Sequence, residues 1–136
     1  MVRITRKPIS LEALIGRVHR ERDGAVVTFL GTVRSPSDGR KVLRIEYEAY
    51  TEMASTRLAQ IANEIAAKWQ IKDVAIVHRV GPVKAGEAAV AIVIAAPHRK
   101  EAFTACSYAI DRIKEIVPLW KKEVYPTGAK WVKESP

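Results

Sequence analysis

The chain has 136 residues, 48% of them hydrophobic, which suits one domain with a core of its own. Its 23 Lys and Arg against 15 Asp and Glu leave a formal net charge of +8 and imply an acidic partner: nucleic acid, a phosphorylated ligand or an acidic protein surface. A single cysteine, Cys106, excludes an internal disulfide framework, and no apolar stretch is long enough for a signal peptide or a bilayer span, so the sequence reads as a soluble cytoplasmic protein.

No repeat, low-complexity tract or linker divides residues 1–136, which read as a single domain with an ordered core over about 9–133 and loose ends at 1–8 and 134–136. Ser10 can cap a short helix that puts Leu11, Leu14, Ile15 and Val18 on one face. Residues 25–30 form a buried strand that leads through Gly31, Thr32 and Val33 to Arg34. Ser35-Pro36-Ser37-Asp38-Gly39-Arg40 is turn chemistry and suits a mobile loop. Leu43, Ile45, Tyr47 and Ala49 then alternate with Arg44, Glu46, Glu48 and Tyr50, a strand with one wet face that carries Glu46 and Glu48.

Thr51 can cap a second helix, with Ala54, Leu58, Ile61, Ala62, Ile65 and Trp69 at helical spacing. Residues 74–80 are a strand, Gly81-Pro82 opens a turn through Gly86, and 88–96 is the next strand, stopping at Pro97-His98-Arg99. A third helix runs from about 100 to 116 and ends or kinks before Pro118. Val124 and Tyr125 start a strand, Pro126-Thr127-Gly128 turns, and 129–133 pair again. Hairpins outnumber βαβ units, so the class is α+β: about three helices on a mostly antiparallel or mixed sheet.

Several cations sit at the ends of these elements. At 100° per residue Ala102, Cys106, Ala109, Ile110, Ile113 and Val117 form one apolar arc of the third helix, and Lys114 lies on its border. There a lysine either snorkels without a role or reaches an amine into a cleft. His98 and Arg99 stand where a strand ends and a helix begins, a place that favours anions, or they form an ordinary polar loop. If the segments converge, Arg34, His98, Arg99, Lys114 and Lys121 make a pocket for a small anion. Trp120 reads as a core anchor, as the aromatics mostly fall on apolar faces. Cys106 lies on the apolar arc and reads as an inert buried thiol, and His78, in strand alternation, as a core histidine. His19, His78 and His98 show no metal-ligand spacing, and no Walker loop or GxGxxG is present.

Taken together, the segments resemble the large, catalytic subunit of molybdopterin synthase. They are Gly24-Ala25-Val26-Val27-Thr28-Phe29-Leu30-Gly31-Thr32-Val33-Arg34, the stretch 43–50 with Met53-Ala54, Val77-His78-Arg79-Val80-Gly81, Pro97-His98-Arg99, Pro118-Leu119-Trp120-Lys121-Lys122-Glu123 and Trp131-Val132. The resemblance implies an α/β hammerhead-type fold and a homodimer with a small ubiquitin-like sulfur-carrier subunit on each protomer, a heterotetramer in all. It also implies a sulfurtransferase of molybdenum cofactor biosynthesis that takes sulfur from the C-terminal glycine thiocarboxylate of that partner. The substrate is cyclic pyranopterin monophosphate and the product the dithiolene of molybdopterin, with no permanently bound cofactor, metal, nucleic acid or membrane. By position, Thr32, Val33, Arg34, His98, Arg99, Lys114, Lys121, Lys122 and Glu123 match the family's substrate-binding segments, with Lys114 and Lys121 as the catalytic pair. Arg34, His98 and Arg99 would hold phosphate, Lys121 would stabilise oxyanions, and Lys114 would be the general acid/base or nucleophile. Two rival classes remain, a basic nucleic-acid-binding module and a non-catalytic scaffold for an acidic partner.

Overall fold

A computed structural model of the chain describes residues 1–132. In order these form β1 (Val2–Thr5), α1 (Leu11–Val18), β2 (Ala25–Thr32), β3 (Arg44–Ala49), α2 (Thr51–Trp69), β4 (Asp73–Arg79), β5 (Gly81–Lys84), β6 (Ala88–Ala96), α3 (Arg99–Ile116), β7 (Leu119–Tyr125) and β8 (Gly128–Val132). The loose end expected at 134–136, and Lys133 at the end of the last expected strand, lie outside the described residues. The expected class holds: three helices accompany two four-stranded sheets, one mixed and one antiparallel.

The first sheet has the order β1-β4-β6-β2. β4 and β6 are its centre and are apolar on both faces, so they read as near-continuous hydrophobic runs. Alternation divides their side chains. Ile76, Ile92 and Ile94 face α2 and α3, where Leu58, Ile61, Ile65, Ala102, Ala109 and Ile113 close a core of fully or almost fully buried residues. Ala75, Val77, Ala91, Val93 and Ala95 face the other way and meet Leu14 and Val18 of α1, whose N-terminus Ser10 caps by accepting from the Ala13 N–H at 3.3 Å. The second sheet, ordered β5-β3-β7-β8, carries a small third core of Val33, Val42, Ile45, Val83, Ala89 and Tyr125.

Four local expectations are corrected. Residues 2–5 are not loose: β1 runs parallel to β4, the Met1 ammonium donates to the Val74 carbonyl at 2.7 Å, and Val2 and Ile4 pack on the main core. A four-residue strand between cations is too short to leave a periodic signal. Residues 81–84 are a strand, because Gly81 takes the bend at φ +85° and Pro82 sits on a sheet edge, where a missing N–H costs no ladder bond. Tyr50, not Thr51, stands at the N-cap of α2, without a side-chain cap. Finally, Trp120 is 46% exposed and meets Tyr50 edge-to-face at 5.6 Å; Tyr50, Phe103 and Trp131 are exposed as well. Trp120 is outside the core because β7 begins directly after Pro118 and points alternate side chains to opposite faces.

An ion cluster clamps α2 to α3. The Arg112 guanidinium donates to both oxygens of Glu64, at 2.9 and 3.0 Å, and the Tyr108 hydroxyl donates to Glu64 at 2.7 Å. Arg112 first, then Tyr108, holds the Glu64 carboxyl at about 2, below its ordinary 4.5. A depressed carboxyl contributes stability that is complete above its unfolded value and lost as pH falls through the folded one. The thermal stability of the parent should therefore exceed that of Glu64→Gln above about pH 5 by a few degrees, with the gap closing as pH falls toward 2. A gap independent of pH in calorimetry would count against the clamp.

Candidate functional site

Three elements bring cations to one corner. β2 delivers Arg34 two residues beyond its last residue, Thr32. α3 packs on β2 and β6, and its last turn carries Lys114. After the break at Pro118, β7 places Lys121, Glu123 and Tyr125 on one face by strand alternation. Lys121 is half-buried, and its amine is lowered from 10.5, first by burial and then by the positive charges of Lys114 and Arg34; Glu123 opposes the shift. Lys121, Lys114, Arg34 and Glu123 thus form one electrostatic group; the three cations belong to the pocket expected from the sequence, and Glu123 enters the expected site only through the family resemblance.

The floor of the corner is polar and neutral. Tyr47 of β3 stands directly opposite Lys121, and its ring meets His78 edge-to-face at 5.2 Å. His78 is 5% exposed, and its Nδ1 pairs with the Arg79 carbonyl at 2.8 Å. Burial pushes the imidazole down to about 4, the Arg79 carbonyl opposes, and Lys121 lowers it further, so His78 is neutral at pH 7. Burial, with Glu123 behind it, raises the Tyr47 hydroxyl to about 12. His78 is the satisfied core histidine the alternation suggests, yet it underlies the site. Both lie in segments that carry the family resemblance, yet neither has a place at the site expected from the sequence; the signal that could have found Tyr47 is the alternation that turns it inward.

The remaining predicted residues separate from this corner. His98 and Arg99 open α3, whereas Lys114 is in its last turn. Fifteen residues at 1.5 Å each set Arg99 and Lys114 about 22 Å apart along the axis. The near contact of Gly24 with the Pro97 carbonyl, 2.6 Å from where a Cβ would sit, ties the His98 end to the start of β2, far from Arg34 at its finish. Within one chain the trio expected to hold phosphate, Arg34, His98 and Arg99, is therefore split. Lys122 faces away from Lys121, with its ammonium 3.4 Å from a Glu46 oxygen and 5.4 Å from the centre of the Trp131 ring. Val33 is 2% exposed, and its N–H and carbonyl are taken by Glu87 and Gly86, so it fixes Arg34 from behind while Thr32 beside it is exposed. An open groove of about 400 Å³ lined by Glu48, Ala49, Tyr50, Trp120 and Trp131 lies on the other face of β7 and holds none of these cations.

The arrangement can hold an anion and can stabilise negative charge as it develops at the half-buried Lys121. Cys106 takes no part: it is 5% exposed, and burial raises its thiol to about 11. Among the described residues no group of three or more His, Cys, Asp or Glu could hold a metal ion. No helix among them is long and apolar enough to cross a membrane.

Residues 4–116 match the model of the family described as MoaE protein. The chain is 50% identical over 129 residues to a molybdopterin synthase catalytic subunit of Bacillus subtilis (strain 168), covering 95% of this chain and 82% of that one. A crystal structure of molybdopterin synthase from Staphylococcus aureus superposes with a TM-score of 0.92 at 47% identity, over 96% of both chains. A complex of subunits 1 and 2 of the molybdopterin-converting factor from Helicobacter pylori 26695 superposes with a TM-score of 0.81 at 20% identity over 98% of this chain and 90% of that one, which shows the common fold.

Proposed function

The chain belongs to the MoaE protein family, whose members are molybdopterin synthase catalytic subunits, and on that premise we propose that it transfers sulfur from a partner's C-terminal thiocarboxylate to cyclic pyranopterin monophosphate. The observation that carries this reading is the half-buried Lys121 grouped with Arg34, Lys114 and Glu123 at the junction of β2, α3 and β7. Both reactants are anions, and a cationic corner admits them where a neutral cleft would not.

The steps follow from the charges. Arg34 offers a planar fork to a phosphate or carboxylate, and its position at the rim lets it guide an incoming chain terminus. As sulfur bonds to a pterin carbon and the acyl group passes from sulfur to water, negative charge builds on oxygen. Lys121, held among cations in a poorly solvated place, meets that charge. Lys114 is the general acid/base or nucleophile that moves the proton or takes the acyl group. Each round leaves one sulfur on the pterin and a carboxylate on the partner, and two rounds complete the dithiolene. The sulfur arrives on the partner, so the chain needs no thiol of its own and no permanent cofactor; buried Cys106 is consistent with this.

His98 and Arg99 enter through a second copy. At about 22 Å from Lys114 they cannot serve that lysine's site within one chain. A two-fold dimer can bring the start of one α3 to the corner of its partner, and an isologous interface makes two such composite sites. A small ubiquitin-like subunit on each protomer completes a heterotetramer, and the Helicobacter pylori structure, itself a complex of two different subunits, accords with that partner. A cytoplasmic setting accords with a lone buried cysteine.

The test mixes this protein with a thiocarboxylated small subunit and cyclic pyranopterin monophosphate and assays for dithiolene. Product is expected in proportion to thiocarboxylate consumed, two per pterin. No product from components active with another synthase would remove the reading.

A further inference from the structure

Tyr125 has no part in the roles above, yet three parts of the corner meet on it. It closes β7, is 6% exposed, and shares the face of Lys121 and Glu123. Its hydroxyl donates to Glu123 Oε1 at 2.8 Å, and that bond is the first cause of its raised titration point. Its ring carries the Arg40 guanidinium 3.7 Å from the centroid. Arg40 closes the loop that begins directly after Arg34: Ser37 and Arg40 exchange backbone hydrogen bonds at 2.9 and 3.0 Å, and the Val42 N–H donates to Ser35 Oγ at 3.0 Å. The ring also packs in the core that includes Val33 and Val42, the residues on either side of that loop.

We propose that Tyr125 is a positioning residue for sulfur transfer: its hydroxyl fixes the Glu123 carboxylate on the face it shares with Lys121, while its ring seats Arg40 and so fixes the 35–41 loop that continues from Arg34. The proposal rests on the reading of Lys121 as the cation that meets developing negative charge. The groups around Lys121 are Arg34 after β2, Tyr47 of β3, His78 of β4, Lys114 of α3 and Glu123 on its own strand. Of these only Glu123 favours the charged amine. Glu123 itself faces Lys130 across β8 and Ile45 across β3, and Asp38 of the loop acts on Tyr125 beside Arg40. The bond from Tyr125 restrains the Glu123 carboxylate, whose charge acts on Lys121 two residues away.

The experiment compares the parent with Tyr125→Phe, Glu123→Gln and the double variant, each assayed with the thiocarboxylated partner and the pterin phosphate across pH. Phenylalanine keeps the ring, the core packing and the seat for Arg40, and removes only the donor. Tyr125→Phe should lower kcat about tenfold with KM for the pterin little changed, the loss of one hydrogen bond to a charged group. Because Glu123 raises Lys121 toward its ordinary value, releasing it lowers the amine further. The alkaline limb of the kcat profile should then move to lower pH by about half a unit. Glu123→Gln should reproduce the move, and adding Tyr125→Phe to it should shift the limb no further. Additive shifts, or an unmoved limb with a falling melting temperature, would mean that Tyr125 serves packing alone and would overturn the proposal. An active parent with a parent-like Tyr125→Phe overturns the positioning role and leaves the sulfur-transfer reading intact. An inactive parent with verified components removes both.

Discussion

Lys121→Met is expected to lower kcat for dithiolene formation by about 10²–10³, the cost of removing one donor aimed at a developing oxyanion, and to leave the fold at least as stable as the parent. The two halves of this result have one cause. Lys121 is half-buried among Lys114 and Arg34, and its amine is lowered by burial and by their charge. A lysine lowered in the folded state is more comfortable as a cation when the chain is unfolded, so at neutral pH its charge opposes folding. Methionine keeps most of the stem's packing and removes the charge. Activity should therefore collapse while the melting temperature holds or rises, the signature of a residue kept for chemistry at a cost in stability. In the parent, activity should fall on the alkaline side as the lowered amine loses its proton. Lys121→Arg, whose guanidinium does not deprotonate in this range, should carry that limb to higher pH even if kcat suffers from the altered geometry. A Lys121→Met protein with parent-like kcat would remove Lys121 from the chemistry, and a steep loss of stability would mark it as structural.

What the sequence discloses and what it hides follow one physical division. β6 is legible to the residue, because a strand buried on both faces is a continuous apolar run bounded by Ala88 and Pro97. The inward arc of α3 is legible too: Ala102, Cys106, Ala109, Ile113 and Val117 are buried where 100° spacing puts them, and Ala105 joins them in the core. Both are local periodicities. The corner is a matter of direction. Arg34 and His98 each follow the end of a strand, and in a parallel pair they would emerge together. β2 and β6 are antiparallel, Ala25 beside Ala96 and Thr32 beside Ala88, so their exits lie at opposite ends of the sheet. No periodicity within either strand carries that information. β7 hides for a related reason. Its face alternates Leu119, Lys121, Glu123, Tyr125 against Trp120, Lys122, Val124, and neither series is apolar. A strand that lines a polar site looks like a loop, and Trp120 then looks like an anchor when it is a surface aromatic.

Lys114→Ala should lower the rate by about 10²–10⁴ as a lost proton-transfer or nucleophilic group, with little change in stability, since the side chain is exposed on the last turn of α3. Arg99→Ala should act differently, chiefly raising KM for the pterin phosphate, because a phosphate fork holds ground and transition states alike. The decisive result is the mixture, assayed at a pterin concentration where each variant alone is nearly inactive. If the start of α3 from one copy completes the corner of the other, a dimer of one Lys114→Ala chain and one Arg99→Ala chain has one site with both lesions and one with neither. Random exchange makes half of the dimers mixed, so about a quarter of the parent sites should return. If His98 and Arg99 instead act in their own chain's site, every site in every dimer keeps one lesion, and mixing returns nothing. The about 22 Å between Arg99 and Lys114 along one helix permits only the first outcome for a shared site, so a null mixture, with exchange verified by mass, would place the phosphate elsewhere than at His98 and Arg99.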